Sequence, residues 1–196
     1  MGYSIDAITE DCYEGTSCLI NKLGIKDDKK LKEFEAAVTL AKASELETQP
    51  ISDAYDVEHY KAIHKFLFED IYEWAGKYRT INMSKKGTSF AQADKIPTLM
   101  NACFKKLKDN DSFRNNSFDE FVENMVDFYQ VTNMIHPFRE GNGRTQRLFI
   151  TQLIRHNGYD INFADMDSDE LMIATIQAAN GVKDNLIRIF SDSIKK

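Results

Sequence analysis

The residues best suited to chemistry lie together in one short stretch, residues 136–147. They combine an imidazole, a carboxylate, two glycines, an amide and two guanidinium groups, namely His136, Glu140, Gly141, Asn142, Gly143, Arg144 and Arg147. The glycines can adopt backbone conformations closed to other residues and leave no side chain above the peptide planes. Successive N–H groups can therefore line a nest for an anion, and a following helix adds the positive end of its dipole. This pattern is typical of a phosphate-binding loop.

The charged side chains of the stretch extend this interpretation to a polyphosphate. Arg144 and Arg147 are three residues apart, so on a helix they can share a face and bind phosphate oxygens, and Asn142 can offer an amide donor. Glu140 supplies a hard oxygen ligand of the kind that Mg²⁺ takes beside phosphates. His136 can accept a proton near neutral pH. Together these groups predict a polyphosphate–Mg²⁺ site with a general base at its edge.

Each of these residues, taken alone, has a more ordinary explanation. A histidine beside a proline is usually structural, and two arginines three residues apart usually form a solvated helix face. A glutamate four residues after a histidine can form a helical metal pair, but Pro137 and the Gly-Asn-Gly run disfavour one continuous helix here. The combination at this spacing favours a catalytic site.

The stretch resembles the signature of the Fic (Fic/Doc) family, HxFx(D/E)GNGRxxR, at every motif position, and Phe138 fills its aromatic position. Weaker similarity extends from roughly residue 11 to residue 165, and residues 11–25 are similar to the corresponding segment of stand-alone Fic toxins of the toxin–antitoxin type. The resemblance implies a single Fic domain over residues 1–196, with further helices over 167–196. It also implies that Phe138 anchors the loop in the core.

The resemblance further implies a protein adenylyltransferase, which moves AMP from ATP to a hydroxyl side chain of a target protein and releases pyrophosphate. His136 would deprotonate the hydroxyl, and Glu140 would hold Mg²⁺ between the α- and β-phosphates. Asn142 and the Gly141–Gly143 amides would stabilise the charge on the α-phosphoryl group. Arg147 would bind the γ-phosphate. Positioning and charge stabilisation are what transfer at phosphorus requires.

Regulation and partners follow from the same resemblance. Many Fic enzymes are inhibited by a helix with the pattern [S/T]xxxE[G/N], whose glutamate pairs with the second motif arginine. Here glutamate precedes Gly or Asn only at Glu14, Glu123 and Glu140, and the residues four positions upstream are Glu10, Asp119 and His136. We therefore expect a separate small antitoxin to carry the inhibitory helix and to dock against the N-terminal helices. The resemblance to such toxins suggests the ATPase subunits of DNA gyrase and topoisomerase IV as targets.

Other functions stay open. Relatives of this fold act as kinases or transfer phosphocholine, but the kinase-like branch departs from the Gly-Asn-Gly-Arg core that this chain retains. An inactive binding module is disfavoured by the intact His136 and Glu140. Hydrolysis of a phosphoester, or removal of AMP, depends in the family on the inhibitory glutamate that this sequence lacks.

The elements that must position the motif are mostly helices. Apolar periodicity predicts helices over residues 28–47, 56–74, 95–109, 117–135 and 145–156 and two more after Asp167, with Asp94 and Ser117 as caps. A short helix is expected between residues 16 and 24. The fold class is thus all-α, a helical bundle of the Fic type with one small β-hairpin. His59 and His64 lie five apart on a predicted helix and are given no role.

The hairpin is predicted over residues 80–90, with Thr80–Ser84 as the first strand. The ordinary interpretation is an exposed hairpin. The family resemblance implies instead a flap beside the active site, whose open edge docks a target segment by β-augmentation. Its candidate docking residues are Ile81, Asn82, Met83, Ser84, Lys85 and Lys86.

Composition narrows the class of protein. A chain of 196 residues fits one domain, and a net charge of −6 disfavours nonspecific nucleic-acid binding. No apolar run is long enough for a membrane span, and the first residues are too charged for a signal peptide. The odd number of cysteines, Cys12, Cys18 and Cys103, shows no metal-type spacing. We expect free thiols and a cytoplasmic location, with no nucleic-acid or membrane partner.

Overall fold

The computed structural model describes residues 11–85 and 88–196. Within these ranges the chain forms seven α-helices, three short 3₁₀ helices and one two-residue antiparallel ladder, which confirms the predicted all-α class. The α-helices are α1 (Asp28–Thr48), α2 (Val57–Phe68), α3 (Ile96–Asp109), α4 (Phe118–Ile135), α5 (Asn142–His156), α6 (Ser168–Ala179) and α7 (Asp184–Ser193). The 3₁₀ helices span Ala93–Lys95, Asp111–Phe113 and Phe163–Asp165.

Side-chain caps begin several of these helices. The Asp27 carboxylate accepts from the Lys30 N–H, and Asp56 and Asp167 cap α2 and α6 in the same way. Ser117 and Glu120 form the predicted capping box at the start of α4. Each cap satisfies an N–H that has no acceptor within its own helix, which defines the first residue of the helix.

Two predictions at the N-terminal side are wrong. Residues 16–24 form turns rather than a helix, because the Asn21 side chain bonds the backbone locally: its Nδ2 donates to the Ile25 carbonyl at 2.7 Å and its Oδ1 accepts from the Ile25 N–H at 3.0 Å. The expected cap Asp94 lies inside the 3₁₀ turn Ala93–Lys95, and α3 has no side-chain cap.

The helix predicted over residues 56–74 is also too long, since α2 ends at Phe68. Beyond it the chain turns and makes tertiary contacts in place of helical ones. The Ile71 carbonyl accepts from the Lys22 N–H at 2.8 Å, and the Tyr72 hydroxyl donates to Glu35 of α1 at 2.5 Å. Both Ile71 and Tyr72 are buried, so the apolar pattern continues while the helix does not.

The ladder is shorter than predicted and starts later. Its strands are β1 (Ser84–Lys85) and β2 (Thr88–Ser89), with Ser84 opposite Ser89 and Lys85 opposite Thr88. The predicted strand residues 80–83 lie outside this ladder. The Met83 carbonyl still accepts from the Phe90 N–H at 3.1 Å, and the Ile81 carbonyl accepts from the Arg79 side chain.

Helix α5 is the centre of the core, and this position fixes the loop before it. Its buried residues lie on nearly all sides, and α2 and α4 pack against it. The fully buried Phe149 ring contacts a cluster of rings, namely Tyr55, His59, Tyr60, Phe104 and Phe128. A buried polar side chain also links α5 to α4: Gln146 Nε2 donates to the Tyr129 carbonyl of α4 at 2.7 Å.

Two findings bear on the predictions from composition. Among the helices of the described ranges, none combines the length and apolar character needed to cross a membrane. Within the described chain, the thiols of Cys18 and Cys103 are not in disulfides.

Candidate active site

His136 ends helix α4 in a left-handed backbone conformation, with φ of 50°. This region is uncommon for a residue with a Cβ, so the surroundings must hold it there. The imidazole is 6% exposed, and the Phe90 ring stacks on it with 3.8 Å between ring centroids. Nδ1 lies 3.3 Å from the Asn133 carbonyl, which favours the tautomer with the proton on Nδ1 and the lone pair on Nε2. That tautomer suits a general base.

Asn142 and Phe138 close the loop between α4 and α5. The Phe138 N–H donates to Asn142 Oδ1 at 2.8 Å, and Asn142 Nδ2 donates back to the Phe138 carbonyl at 2.7 Å. The Phe138 ring is fully buried and stacks on His64 at 3.8 Å, as expected for an anchor. Asn142 is only 5% exposed, so its side chain serves the loop, and the structure does not present it to a ligand as a phosphate donor.

His64 of α2, which was given no role from the sequence, supports the loop between α4 and α5 by a hydrogen bond. The Gly76 N–H donates to its Nδ1 at 2.8 Å, so the proton is on Nε2, which donates to the Glu140 carbonyl at 3.0 Å. Burial lowers the pKa of His64 to about 3, so the ring is neutral and keeps this tautomer at neutral pH. No spacing rule could have indicated this, since Gly76 and Glu140 are distant in sequence.

The two glycines of the motif have different reasons to be glycine. Gly141 has φ of 77°, and a Cβ there would lie 2.1 Å from Cζ of the buried Phe68 ring. Gly143 lies in the first turn of α5, where a Cβ would meet the end of the Arg147 side chain at 3.1 Å. Helix α5 begins at Asn142, three residues earlier than predicted, and no side chain caps it. Its first N–H groups are therefore available to an anion.

Arg144 does not join Arg147 in a common fork, contrary to the sequence prediction. Its guanidinium pairs with the buried Glu35 of α1, donates to Thr39 Oγ1 at 3.1 Å and lies over the Phe68 ring at 4.8 Å. The periodicity of α1 gave no signal for Glu35, because a lone buried glutamate on a helix is recognised only through its partner. Arg144 is thus occupied inside the protein.

Glu140 lies between these groups and solvent. Its Oε1 accepts from the Gly141 N–H at 2.8 Å and from Arg144 Nη2 at 3.3 Å. Its side chain is 26% exposed, and within the described chain no hydrogen bond is made by Oε2. One oriented carboxylate with an available oxygen is compatible with Mg²⁺ bound chiefly through phosphates and water. Among the described residues no larger cluster of His, Cys, Asp and Glu forms a metal site.

A cavity of about 780 Å³ opens beside the amino end of α5. From the motif, His136, Gly143 and Arg147 line it, whereas Glu140, Gly141, Asn142 and Arg144 do not. Arg147 is exposed inside this concave site, and the surrounding protein lowers its pKa, with the charge of Arg144 adding to the effect. The opposite wall comes from residues that sequence reasoning missed, chiefly the apolar side chains Phe163, Met166, Leu171, Met172 and Ile176. The cavity therefore joins a base, helix N–H groups and an arginine to an apolar wall.

The candidate docking residues that the structure describes are linked to the cavity through Phe90, which lines it and whose N–H donates to the Met83 carbonyl at 3.1 Å. Asn82 is exposed and its Oδ1 accepts from the Ala93 N–H at 2.9 Å, while Met83 is only 4% exposed and points into the protein. Ile81 and Ser84 are half-buried. Lys86 and the side chain of Lys85 lie outside the described part of the chain.

Known proteins of one family are similar to this chain over most of its length. The model of the Fic/DOC family matches residues 54–154. The protein adenylyltransferase VbhT of Bartonella schoenbuchensis is 37% identical over 169 residues, which are 86% of this chain and 35% of VbhT, so the chain spans about a third of that relative. The probable protein adenylyltransferase y4lH of Sinorhizobium fredii is 37% identical over 87% of this chain and 88% of its own length. The crystal structure of BepC from Bartonella tribocorum with bound AMPPNP has a TM-score of 0.87 at 29% identity and covers 94% of this chain and 95% of that chain.

The contrast between the two glycines gives a matched pair of variants. Gly141→Ala should lower the free energy of unfolding by about 3 to 5 kcal/mol, because it adds backbone strain and overpacking against Phe68. Gly143→Ala should change it by less than about 1 kcal/mol, since a helical alanine is favourable and only the end of Arg147 must move. Urea unfolding followed by circular dichroism measures both. Equal losses for the two variants would contradict this account of the loop.

Proposed function

We propose that this chain, which belongs to the Fic/DOC family, transfers AMP from ATP to a hydroxyl side chain of a target protein. The observation that carries the proposal is that His136, Gly143 and Arg147 line one cavity at the amino end of α5. A helix amino end and an arginine bind the charge of a polyphosphate, and a base at the rim can activate an incoming hydroxyl. The names of VbhT and y4lH and the AMPPNP bound to BepC support the same activity.

The chemical step follows from this arrangement. Nε2 of His136 takes the proton of the target hydroxyl as its oxygen attacks the α-phosphorus of ATP. The new oxygen–phosphorus bond forms, the bond to the β-phosphate bridging oxygen breaks, and pyrophosphate leaves. The N–H groups of the first turn of α5 stabilise the charge on the α-phosphoryl group, and Arg147 binds the γ-phosphate. The imidazolium then returns its proton to solvent.

Glu140 is the residue that would hold Mg²⁺ beside the phosphates. When bound, the ion offsets the negative charge of the triphosphate. Glu140 itself is oriented by the Gly141 N–H and by Arg144, which is in turn held by Glu35. We therefore assign Arg144 and Asn142 to positioning the loop rather than to binding phosphate directly, which revises what the sequence motif alone suggested.

The ladder between Ser84 and Ser89 is proposed as the flap that docks the target. It lies on the His136 side of the cavity, where Phe90 contacts the imidazole directly. An extended target segment can pair with its open edge and place a hydroxyl in line with the α-phosphate. Because the Met83 side chain is buried, its contribution to docking would come from the backbone.

One experiment separates AMP transfer from its alternatives. ATP labelled at the α- or the γ-phosphate is supplied with Mg²⁺ to bacterial lysate and to purified ATPase subunits of DNA gyrase and topoisomerase IV, the targets proposed from the resemblance. The α-label alone should appear on protein, and His136→Ala should reduce transfer by more than about 100-fold while ATP binding by calorimetry is retained. Transfer of the γ-label would indicate a kinase, and no transfer of either label would indicate a binding module.

A separate small antitoxin is proposed as the inhibitor of this activity. The sequence carries no [S/T]xxxE[G/N] pattern, and within the described residues Arg147 makes no ion pair, so a partner's glutamate can bind it in the γ-phosphate position. Helix α1, near the N-terminal side of the chain, offers exposed apolar side chains for docking, including Phe34 and the 70% exposed Leu40. The thiols of Cys18 and Cys103, which are not in disulfides within the described chain, suit the reducing cytoplasm proposed as the place of action.

Purification from native cells under mild conditions tests this partner. A small helical protein should accompany the chain and suppress α-label transfer, and its removal should restore activity. Arg147→Ala should weaken the inhibition, because the charge-assisted pair is lost. An isolated chain that binds ATP yet stays inactive without any companion would argue against a separate inhibitor.

A further inference from the structure

Arg79 is a buried cation whose side chain, within the described part of the chain, donates only to main-chain oxygens. The residue is only 4% exposed to solvent. Nε donates to the His136 carbonyl at 2.8 Å, and Nη2 donates to the Ile135 carbonyl at 3.2 Å. The same guanidinium donates to the Ile81 carbonyl through Nη1 at 2.5 Å and to the Ala91 carbonyl through Nη2 at 2.6 Å. One planar group thus joins the end of α4 to both ends of the segment that carries the ladder.

The carboxyl end of α4 explains why this charge is tolerated without a carboxylate. Among the described residues Arg79 makes no ion pair, and burial lowers its pKa, but an arginine still remains charged at neutral pH. The Ile135 and His136 carbonyls end an 18-residue helix, where the helix dipole presents negative charge to a cation. These carbonyls also lack hydrogen-bond donors within the helix. Arg79 therefore supplies their hydrogen bonds, and the negative end of the helix dipole offsets the charge of Arg79.

Two further contacts fix the same pieces together. The Arg79 N–H donates to the Pro137 carbonyl at 2.9 Å, and the Ala91 N–H donates to the Met134 carbonyl at 3.0 Å. The Phe90 ring, which precedes Ala91, stacks on the imidazole of His136. The ladder segment and His136 are therefore parts of one hydrogen-bonded unit with Arg79 at its centre.

We propose that Arg79 is a positioning residue that sets the register between the docking segment, residues 81–85 and 88–91, and the general base His136. The inference rests on the proposed function, in which the target hydroxyl is held by that segment while His136 removes its proton. A displacement of about 1 Å between docked hydroxyl and base can cost about 100-fold in rate. A lysine in this place keeps the charge but cannot reach carbonyls on both sides, because its three N–H donors all lie on one nitrogen instead of on a planar fork.

The test compares Arg79→Lys with the parent chain and with Arg155→Lys, which alters an arginine on the far end of α5 that pairs with Asp160 and Glu47. The first readout, hydrogen exchange followed by mass spectrometry, does not depend on activity. In Arg79→Lys, exchange should increase in residues 81–85, 88–91 and 134–136, while α2 and α5 stay protected. Arg155→Lys should leave these segments unchanged. Unaltered exchange there in Arg79→Lys would overturn the proposal.

The second readout is transfer kinetics. In Arg79→Lys, kcat/KM for the protein target should fall about 10- to 100-fold, while the Kd for ATP changes less than about twofold. Parallel losses of ATP binding and transfer would show a merely structural role and would also overturn the proposal. If the parent chain transfers no AMP, the proposed function fails, and the exchange data alone then decide whether Arg79 links the segment to the helix end.

Discussion

The structure depends on satisfying the buried main-chain carbonyls between α4 and α5. The chain leaves α4 in a left-handed conformation at His136 and enters α5 through another at Gly141, so no regular ladder can take these oxygens. The donors come instead from three residues. Arg79 donates to the Ile135, His136 and Pro137 carbonyls, Asn142 donates to the Phe138 carbonyl, and His64 donates to the Glu140 carbonyl. Only the Gly141 carbonyl, at the edge of the loop, accepts a helical hydrogen bond, the first of α5, from the Thr145 N–H. An irregular loop held in this way is as well defined as a helix.

This constraint explains why so few motif residues face the cavity. The side chains of Asn142 and Arg144 are used to hold the loop, and Gly141 is required by the close approach of Phe68. What remains for a ligand is His136, the first turn of α5 and Arg147. Most motif residues thus serve to place a base and a helix amino end side by side. Electrostatic stabilisation of a transition state requires donors that are already held in position, and the rigid loop provides this.

Most of the helices and the motif could be predicted from the sequence, because both depend on residues that are close together in the chain. The Ser117 box, the apolar stripes and the Gly-Asn-Gly run are readable within a few residues of each other. Hydrogen bonds between residues distant in sequence could not be predicted in this way. Nothing near Arg79 or His64 indicates that each would bond the motif loop, and helix periodicity carried the prediction for α2 past Phe68 although tertiary hydrogen bonds end it there. The apolar cavity wall on α6 was likewise indistinguishable from ordinary core.

The most direct test of the account is a crystal structure of the His136→Ala variant with ATP and Mg²⁺, in which binding is retained and turnover is stopped. The account predicts ATP in the cavity, with its α-phosphate against the first-turn N–H groups of α5 and beside position 136, and its γ-phosphate at Arg147. A γ-phosphate beside position 136, or a nucleotide bound outside this cavity, would contradict it.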